Sequence, residues 1–312
     1  MAPATTIVFG PTGDVASAVA REVHQRGAKV VLAMRNTSKP IPGLSPQAEA
    51  AGNFERVQAD LTDPQSITAA VSQTGATRAF LYVLFGNPGA TVEAARALRS
   101  AGVGFVVLLS SFDVRGEARA VPTSNFLGHM HAVVEVALEE LFGAGGFVAL
   151  RPAFFASNSL RWKSMVREGH VKMPFAEAEF DWISNRDVAQ AAAAVLIRGS
   201  QEGGQAAIEL CGPKLFSQEE AVNTVARVLG REIKVTRLEE EDAVQLAVSK
   251  GTPERMARLI NGLLKARVEG EDDIYAGRID EAQANGRKYT GGKPVQYEEW
   301  VRENKDEFEA ET

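Results

Sequence analysis

The sequence is short of several things, and each shortage excludes something. One cysteine, Cys211, stands in 312 residues, so no intramolecular disulfide can form and a reducing compartment is expected. Positive charge is not in excess: 34 Lys and Arg stand against 40 Asp and Glu, a net charge of −6. That balance excludes the basic footprint of a nucleic-acid binder. No run approaches the ~18 uninterrupted apolar residues of a membrane span. The opening "MAPATTIVFG" has neither a basic segment nor an apolar run of signal-peptide length. Internal repeats and low-complexity blocks are also missing. These absences predict a cytoplasmic protein with no membrane or nucleic-acid partner, and leave the oligomeric state open.

What is present is an ordinary globular composition, 45% apolar and 24% charged, in a chain long enough to bury a sizeable core. The first half alternates apolar runs with helical patterns. "TIVF" (6–9), "KVVLAM" (29–34), "FERVQA" (54–59), "RAFLYVL" (78–84), "GFVVLLS" (104–110) and "GFVAL" (146–150) predict strands. Apolar spacing and terminal glycines predict helices over 14–27, 63–75, 90–102 and 124–146. The interval 35–53 reads as a loop with at most a short helix. Several strands are apolar on both faces, as in a parallel sheet covered by helices. The expected fold is α/β, a Rossmann-type doubly wound parallel sheet over residues 1–152, with a smaller C-terminal substrate lobe over 153–312. In that second half helices are expected over 158–169, 185–199, 217–230, 239–249, 253–268 and 297–308, and strands over 178–184 and 205–212. Some of these elements are expected to return to the sheet.

Ligands of such sheets sit beyond the carboxyl ends of the strands. After the first strand comes "GPTGDVA", with Gly10, Gly13 and Ala16 at the spaced positions. Gly10 allows a sharp turn, Gly13 lets a diphosphate approach the backbone, and Ala16 lets the helix pack on the strand. Thr12, Gly13, Asp14 and Val15 would offer helix N-terminal N–H groups to the diphosphate. A glycine turn between a buried strand and a helix points to a dinucleotide. Residues 29–40 contain no acid to hold a ribose diol, but Arg35 follows the second strand and Lys39 lies four residues on. A guanidinium there pairs with a 2′-phosphate, which selects NADP(H) over NAD. Asp60, followed by Leu61, ends the third strand and suits the adenine amine. Capping of the next helix is the alternative role, open equally to Thr62 or Asp63. Tyr82 and Phe85, with Gly86 and Gly89, would border the cofactor after the fourth strand.

Together "FGPTGDVA", "MRN", "QADLTD", "LLSSF", "HMHAVVEVALEEL", "LRPAFFASN", "WISNRDVAQAAAAVL" and "YEEWVREN" resemble, in order and spacing, the NmrA-like family of atypical short-chain dehydrogenase/reductases. The resemblance implies an NADP(H)-binding Rossmann core and a small C-terminal lobe. It covers both reductases and silent, redox-sensing regulators. It also implies a place for the usual Tyr-x-x-x-Lys pair, and here the pair is missing. The lysine expected four residues before Glu135 is His131, and the tyrosine position is Leu127. Ser110 and Ser111 remain of the usual set.

Hydride transfer to a plain ketone builds alkoxide charge and needs a proton or an oxyanion donor. Transfer to an iminium cancels charge, and a quinone or conjugated enone spreads it. The missing acid therefore predicts an activated acceptor. His131, and after it His129, are the candidate replacement acids, because histidine titrates nearest neutrality. Two residues apart on a helix, they do not share a face, which also argues against a metal site.

Beyond the sixth strand, Pro152, Ala153 and Phe154 would wall the nicotinamide. Phe112, Phe155, Asn158, Trp162, Phe175 and Trp182 would meet the substrate. The concentration of aromatics over 154–182 predicts a flat or polycyclic, apolar small-molecule substrate. The expected function is an NADP(H)-dependent reductase of an activated C=N or quinone-like C=C bond. A silent cofactor-sensing regulator and a redox-assisted isomerase or cyclase are the alternatives.

Overall fold

A computed structural model describes residues 4–52, 54–199 and 206–310. In chain order the elements are β1 (Thr5–Phe9), α1 (Asp14–Gln25), β2 (Lys29–Met34), α2 (Pro46–Ala51), β3 (Phe54–Gln58), α3 (Pro64–Thr74), β4 (Arg78–Tyr82), α4 (Pro88–Ser100), β5 (Phe105–Leu109), α5 (Phe126–Phe142) and β6 (Phe147–Pro152). They continue as α6 (Lys163–Arg167), β7 (His170–Met173), β8 (Glu179–Phe180), α7 (Asn185–Arg198), β9 (Ala207–Leu210), β10 (Phe216–Ser217), α8 (Gln218–Leu229), β11 (Lys234–Arg237), α9 (Glu240–Ser249), α10 (Glu254–Val268), α11 (Ile279–Tyr289), α12 (Tyr297–Glu303) and α13 (Lys305–Glu309). No described helix is long and apolar enough to cross a membrane.

The chain divides into two compact units. The first comprises Met1–Ala153, Asn185–Leu210 and Glu281–Pro294. Its centre is an all-parallel sheet of seven strands in the order β3-β2-β1-β4-β5-β6-β9. The fold is α/β and doubly wound. From β1 the chain builds outward through β2 and β3, then returns to β4 on the other side of β1. That reversal opens the crevice where such sheets take ligands. The strands stay in place because both faces are covered: Ile7, Val8, Val30, Val31, Leu32, Phe80, Leu81, Val106, Val107 and Leu108 are all 0% exposed. Ala16, Val19, Ala20 and Val23 form the buried stripe of α1 at helical spacing. They pack with α7, whose Ala189 and Ala191–Ala194 are small enough for close approach.

The second unit comprises Phe154–Ser184, Cys211–Asp280 and Val295–Thr312. It holds two small sheets, antiparallel β10-β8 and parallel β11-β7. Trp182 anchors its core. The indole is 1% exposed, lies 5.1 to 5.8 Å from the rings of Phe154, Trp162, Phe180, Phe216 and Tyr297, and donates from Nε1 to the Phe216 carbonyl at 3.0 Å.

Local readings depart from the structure mostly in this unit. The strand expected over 178–184 shrinks to Glu179–Phe180. The helix expected over 158–169 is a 3₁₀ segment, Ala156–Trp162, running into the short α6. The C-terminal helix breaks at Asn304 into α12 and α13. Strands β7 and β11 and helix α11 carry no periodicity strong enough to announce them. The strand expected over 205–212 is observed over Ala207–Leu210, and Gln205 lies outside the described residues.

Candidate functional site

The sheet's switch point is built first by Gly10. Its φ is +66°, and a Cβ there would come within 2.7 Å of Cε1 of Tyr82. Only glycine takes this turn and leaves the Tyr82 ring in place. The Gly13 N–H then donates to the Gly10 carbonyl at 2.9 Å and the chain enters α1. Helices α2, α3, α4 and α5 each receive a side-chain N-cap, from Ser45, Asp63, Asn87 and Asn125. α1 starts from Gly13 with no side-chain cap, so the N–H groups of its first turn are left for a ligand. A Cβ on Gly13 would meet nothing closer than the Gly10 carbonyl at 3.5 Å. Side-chain space is therefore open there, and Thr12, Gly13 and Asp14 are exposed with Val15 half-buried. A diphosphate fits this cradle.

Three strand ends converge beside it. Arg35 is exposed at the end of β2, Asp60 follows β3, and Tyr82 ends β4. The Asp60 carboxylate accepts from the Thr62 N–H at 2.9 Å and the Thr62 hydroxyl at 2.8 Å. The Thr62 N–H foremost, then its hydroxyl and the Arg35 charge, hold the acid below its usual range. Burial pushes the Tyr82 phenol up, and Arg35 acts on it in the opposite direction. Capping of α3 belongs to Asp63, which accepts from Gln65 N at 3.0 Å, so Asp60 is not needed as a cap. Leu61 is buried. Lys39 is exposed, and its loop is shaped by Arg56, whose Nη1 donates to the carbonyls of Thr37 and Lys39. The sequence reading missed Arg56, a charge inside a strand and hence a sign of a fixed partner. Phe85 is 63% exposed and meets Phe126 edge-on.

The third part lies along β5, α5 and β6. Ser110 is buried and donates to Glu135 Oε1 at 2.5 Å. Arg151 grips the same carboxylate, and its Nη1 reaches the Gly116 carbonyl at 2.9 Å. Ser110 was expected beside the cofactor as a catalytic hydroxyl. The hydroxyl donates its hydrogen bond to a buried carboxylate. Ser111 is committed locally, accepting from Asp113 N at 3.1 Å and donating to its carboxylate at 3.2 Å. His129 Nδ1 lies 3.3 Å from the Val121 carbonyl. His131 is different. Its Nδ1 is buried and has no hydrogen-bond partner among the described residues. Desolvation pulls its pKa down to about 4, which favours the neutral ring at pH 7. An orphaned Nδ1 fits a hydroxyl donor such as a bound cofactor would bring. Pro152 is buried, and Ala153 N donates to Leu210 O at 3.0 Å, which holds the end of β6 against β9.

In the second unit, Phe154 is placed by Asp181. This carboxylate is 1% exposed and accepts from Phe154 N at 2.8 Å, Gly212 N at 2.7 Å and the Tyr275 hydroxyl at 2.7 Å. Burial raises its pKa, and those three donors oppose the rise. An acid between Phe180 and Trp182 was a visible signal of a buried polar anchor that the sequence reading passed over. Trp182 and Phe112 were expected to face substrate, but both are enclosed side chains, at 1% exposure each. Trp162 is 2% exposed and borders a cavity within this unit. Phe155, Asn158 and Phe175 are half-buried, and Phe155 bridges to Ile183. Among the described residues no group of three His, Cys, Asp or Glu could hold a metal ion.

The arrangement matches known proteins along nearly its whole length. Residues 3–301 match the model of the NmrA-like family. The nitrogen metabolite regulation-like protein bik4 of Gibberella fujikuroi is 35% identical over 316 aligned positions, covering 95% of each chain. An NAD(P)H azoreductase of Xenophilus azovorans is 26% identical over 88% of this chain and 90% of its own. Among solved structures, the NADPH-dependent quinone oxidoreductase QOR2 of Escherichia coli, complexed with NADPH, shares the fold with a TM-score of 0.73 at 21% identity, over 96% of this chain and 99% of that one. This chain therefore belongs to the NmrA-like family.

Proposed function

We propose that this protein is an NADP(H)-dependent oxidoreductase acting on an already activated acceptor, a C=N bond or a conjugated, quinone-like C=C bond in a bulky apolar molecule. The carrying observation is His131, a neutral imidazole with a free Nδ1 at the place where the resemblance expects a lysine. The reduced cofactor supplies hydride when bound. Arg35 would pair with the 2′-phosphate, Asp60 would accept from the adenine amine, and the first turn of α1 would take the diphosphate. His131 would give its Nδ1 to a cofactor hydroxyl. With Leu127 in the tyrosine position, the usual phenol donor of the family is missing. An iminium becomes a neutral amine on accepting hydride and needs none. A quinone becomes a hydroquinone anion that takes its proton from water. The name of the quinone oxidoreductase supports the quinone-like acceptor, and that of the azoreductase supports reduction of an activated double bond more broadly.

A silent cofactor-binding regulator is the second reading. It is favoured by the commitment of Ser110 to Glu135, which leaves none of the usual catalytic set free. Calorimetric titration with NADPH and NADH, followed by NADPH oxidation against a naphthoquinone, a cyclic iminium and a simple ketone, separates the two. Tight NADPH binding with turnover of the first two acceptors is expected. Binding without turnover of any acceptor supports the regulator, and preferential turnover of the ketone overturns the mechanism.

A further inference from the structure

The second unit contains a cavity of about 340 Å³ bordered by α6, β7, α9 and α10. Its wall is mainly apolar, with Trp162, Met165, Met173, Leu246 and Leu264 among the lining side chains. Its charge is one-sided. In a chain of net charge −6, the lining includes Arg161, Lys172 and Lys250 and, among the described residues, no carboxylate.

Arg161 is the fixed cation. The side chain is exposed on the cavity wall, and a guanidinium ionises far above neutrality. It therefore stays protonated at pH 7. Its Nη2 donates to Oε1 of Gln218, which is 1% exposed. Gln218 is held in turn by Nε2, which donates to the carbonyls of Pro174 at 3.2 Å and Phe175 at 2.9 Å. The guanidinium also lies over the Trp162 ring, 4.9 Å from its centroid. Among the described residues no carboxylate pairs with it. One glutamine oxygen leaves most of a guanidinium's five N–H donors without a protein acceptor. Asn261 supplies a second, independent observation. It is 4% exposed, lines the same cavity, and its side-chain amide has no hydrogen-bond partner among the described residues.

A neutral apolar ligand would cover Arg161 without compensating its charge, which is costly. A small inorganic anion would leave the apolar wall unused. We infer that this cavity binds an amphipathic organic anion, a one- or two-ring or short-chain molecule bearing a single carboxylate, sulfonate or acidic phenol. The anionic group meets Arg161 and Asn261, and the apolar body lies on Trp162, Met165 and Leu264. The lining residues all belong to the second unit, and Trp162 among them was expected to meet the substrate.

The test is equilibrium fluorescence titration of the full chain with anilinonaphthalene sulfonate and with phenylnaphthylamine, the same ring system without the charge. The wild type binds the sulfonate at one site, about tenfold or more tighter than the uncharged probe. Arg161→Met loses that advantage and keeps its affinity for the uncharged probe. Leu246→Trp, which fills the cavity, weakens both probes about tenfold. Circular dichroism verifies the fold of each variant, and the comparison of the two probes on the wild type needs no variant at all. Equal affinity of the wild type for the two probes overturns the inference. So does an Arg161→Met protein that retains the preference for the anion, or a folded Leu246→Trp protein that binds both probes unchanged.

Discussion

Arg151 holds Glu135 through two parallel hydrogen bonds, Nε to Oε1 at 3.0 Å and Nη2 to Oε2 at 2.6 Å, with both residues 5% exposed or less. The pair lies between β6 and α5, and the Ser110 hydroxyl completes it from the end of β5. Deleting Arg151 leaves Glu135 buried without its partner, and deleting Glu135 leaves Arg151 only the long contact to Glu209 at 3.9 Å. Glu135→Ala is expected to cost about 3–5 kcal/mol, while Glu135→Leu combined with Arg151→Met recovers much of that loss. Ser110→Ala is expected to cost about 1–3 kcal/mol and to leave turnover per folded molecule intact. Thermal and urea unfolding of the four proteins, with activity normalised to folded protein, checks all three statements.

The two glycines of the first turn separate in their effects. Gly10→Ala forces a side chain into φ +66° and against Tyr82, so stability falls by about 1–3 kcal/mol. Gly13→Val meets open space at an extended backbone, so stability changes by no more than about 1 kcal/mol. NADPH binding is nevertheless lost, because the added side chain occupies the diphosphate's approach. Differential scanning fluorimetry with and without NADPH tells these cases apart. A Gly13→Val protein that still binds would refute the cradle.

Arg35→Ala is expected to weaken NADPH roughly 10- to 100-fold and to leave NADH nearly unchanged. Arg35 is exposed and its electrostatic partners, Asp60 and Tyr82, stay anchored by Thr62 and by the sheet, so the fold is not at risk. Calorimetry with both cofactors measures the difference, and equal losses would remove the 2′-phosphate role.

His131 sets a pH signature. In the unfolded chain its imidazole takes a proton near 6.5, and in the folded protein only near 4. The unfolded state therefore binds more protons across that window, so stability falls as pH drops from about 6.5 towards 4 and gains nothing further above it. His131→Leu should be less sensitive to acid over the same range, by an amount on the order of 1–3 kcal/mol at pH 4. Unfolding midpoints of both proteins at several pH values check the sign. Turnover of the wild type should show no ionisation of this histidine between pH 6 and 8, and His131→Ala should turn over more slowly, about tenfold, through loss of cofactor positioning.

The sheet was legible because its strands are locally unambiguous. "KVVLAM" and "GFVVLLS" are apolar on both faces, and a buried parallel strand needs that composition whatever its neighbours are. The turn at Gly10 was equally local. The second unit resisted because its strands are two to four residues long and its order comes from Trp182, Asp181 and Tyr275, which share no local pattern.

Composition, the alternation of strands and helices and the glycine turn are properties of neighbouring residues, and they were enough to decide the α/β class and the parallel sheet. The chemical state of the site was decided elsewhere. Ser110 is tied to a carboxylate 25 positions away, and Asp181 to a phenol 94 positions away. Burial lowers the pKa of His131, and among the described residues no carboxylate lines the cavity beside Arg161. Periodicity records which face of an element is buried. Desolvation and pairing depend on what that face is buried against, and only the folded chain contains that information.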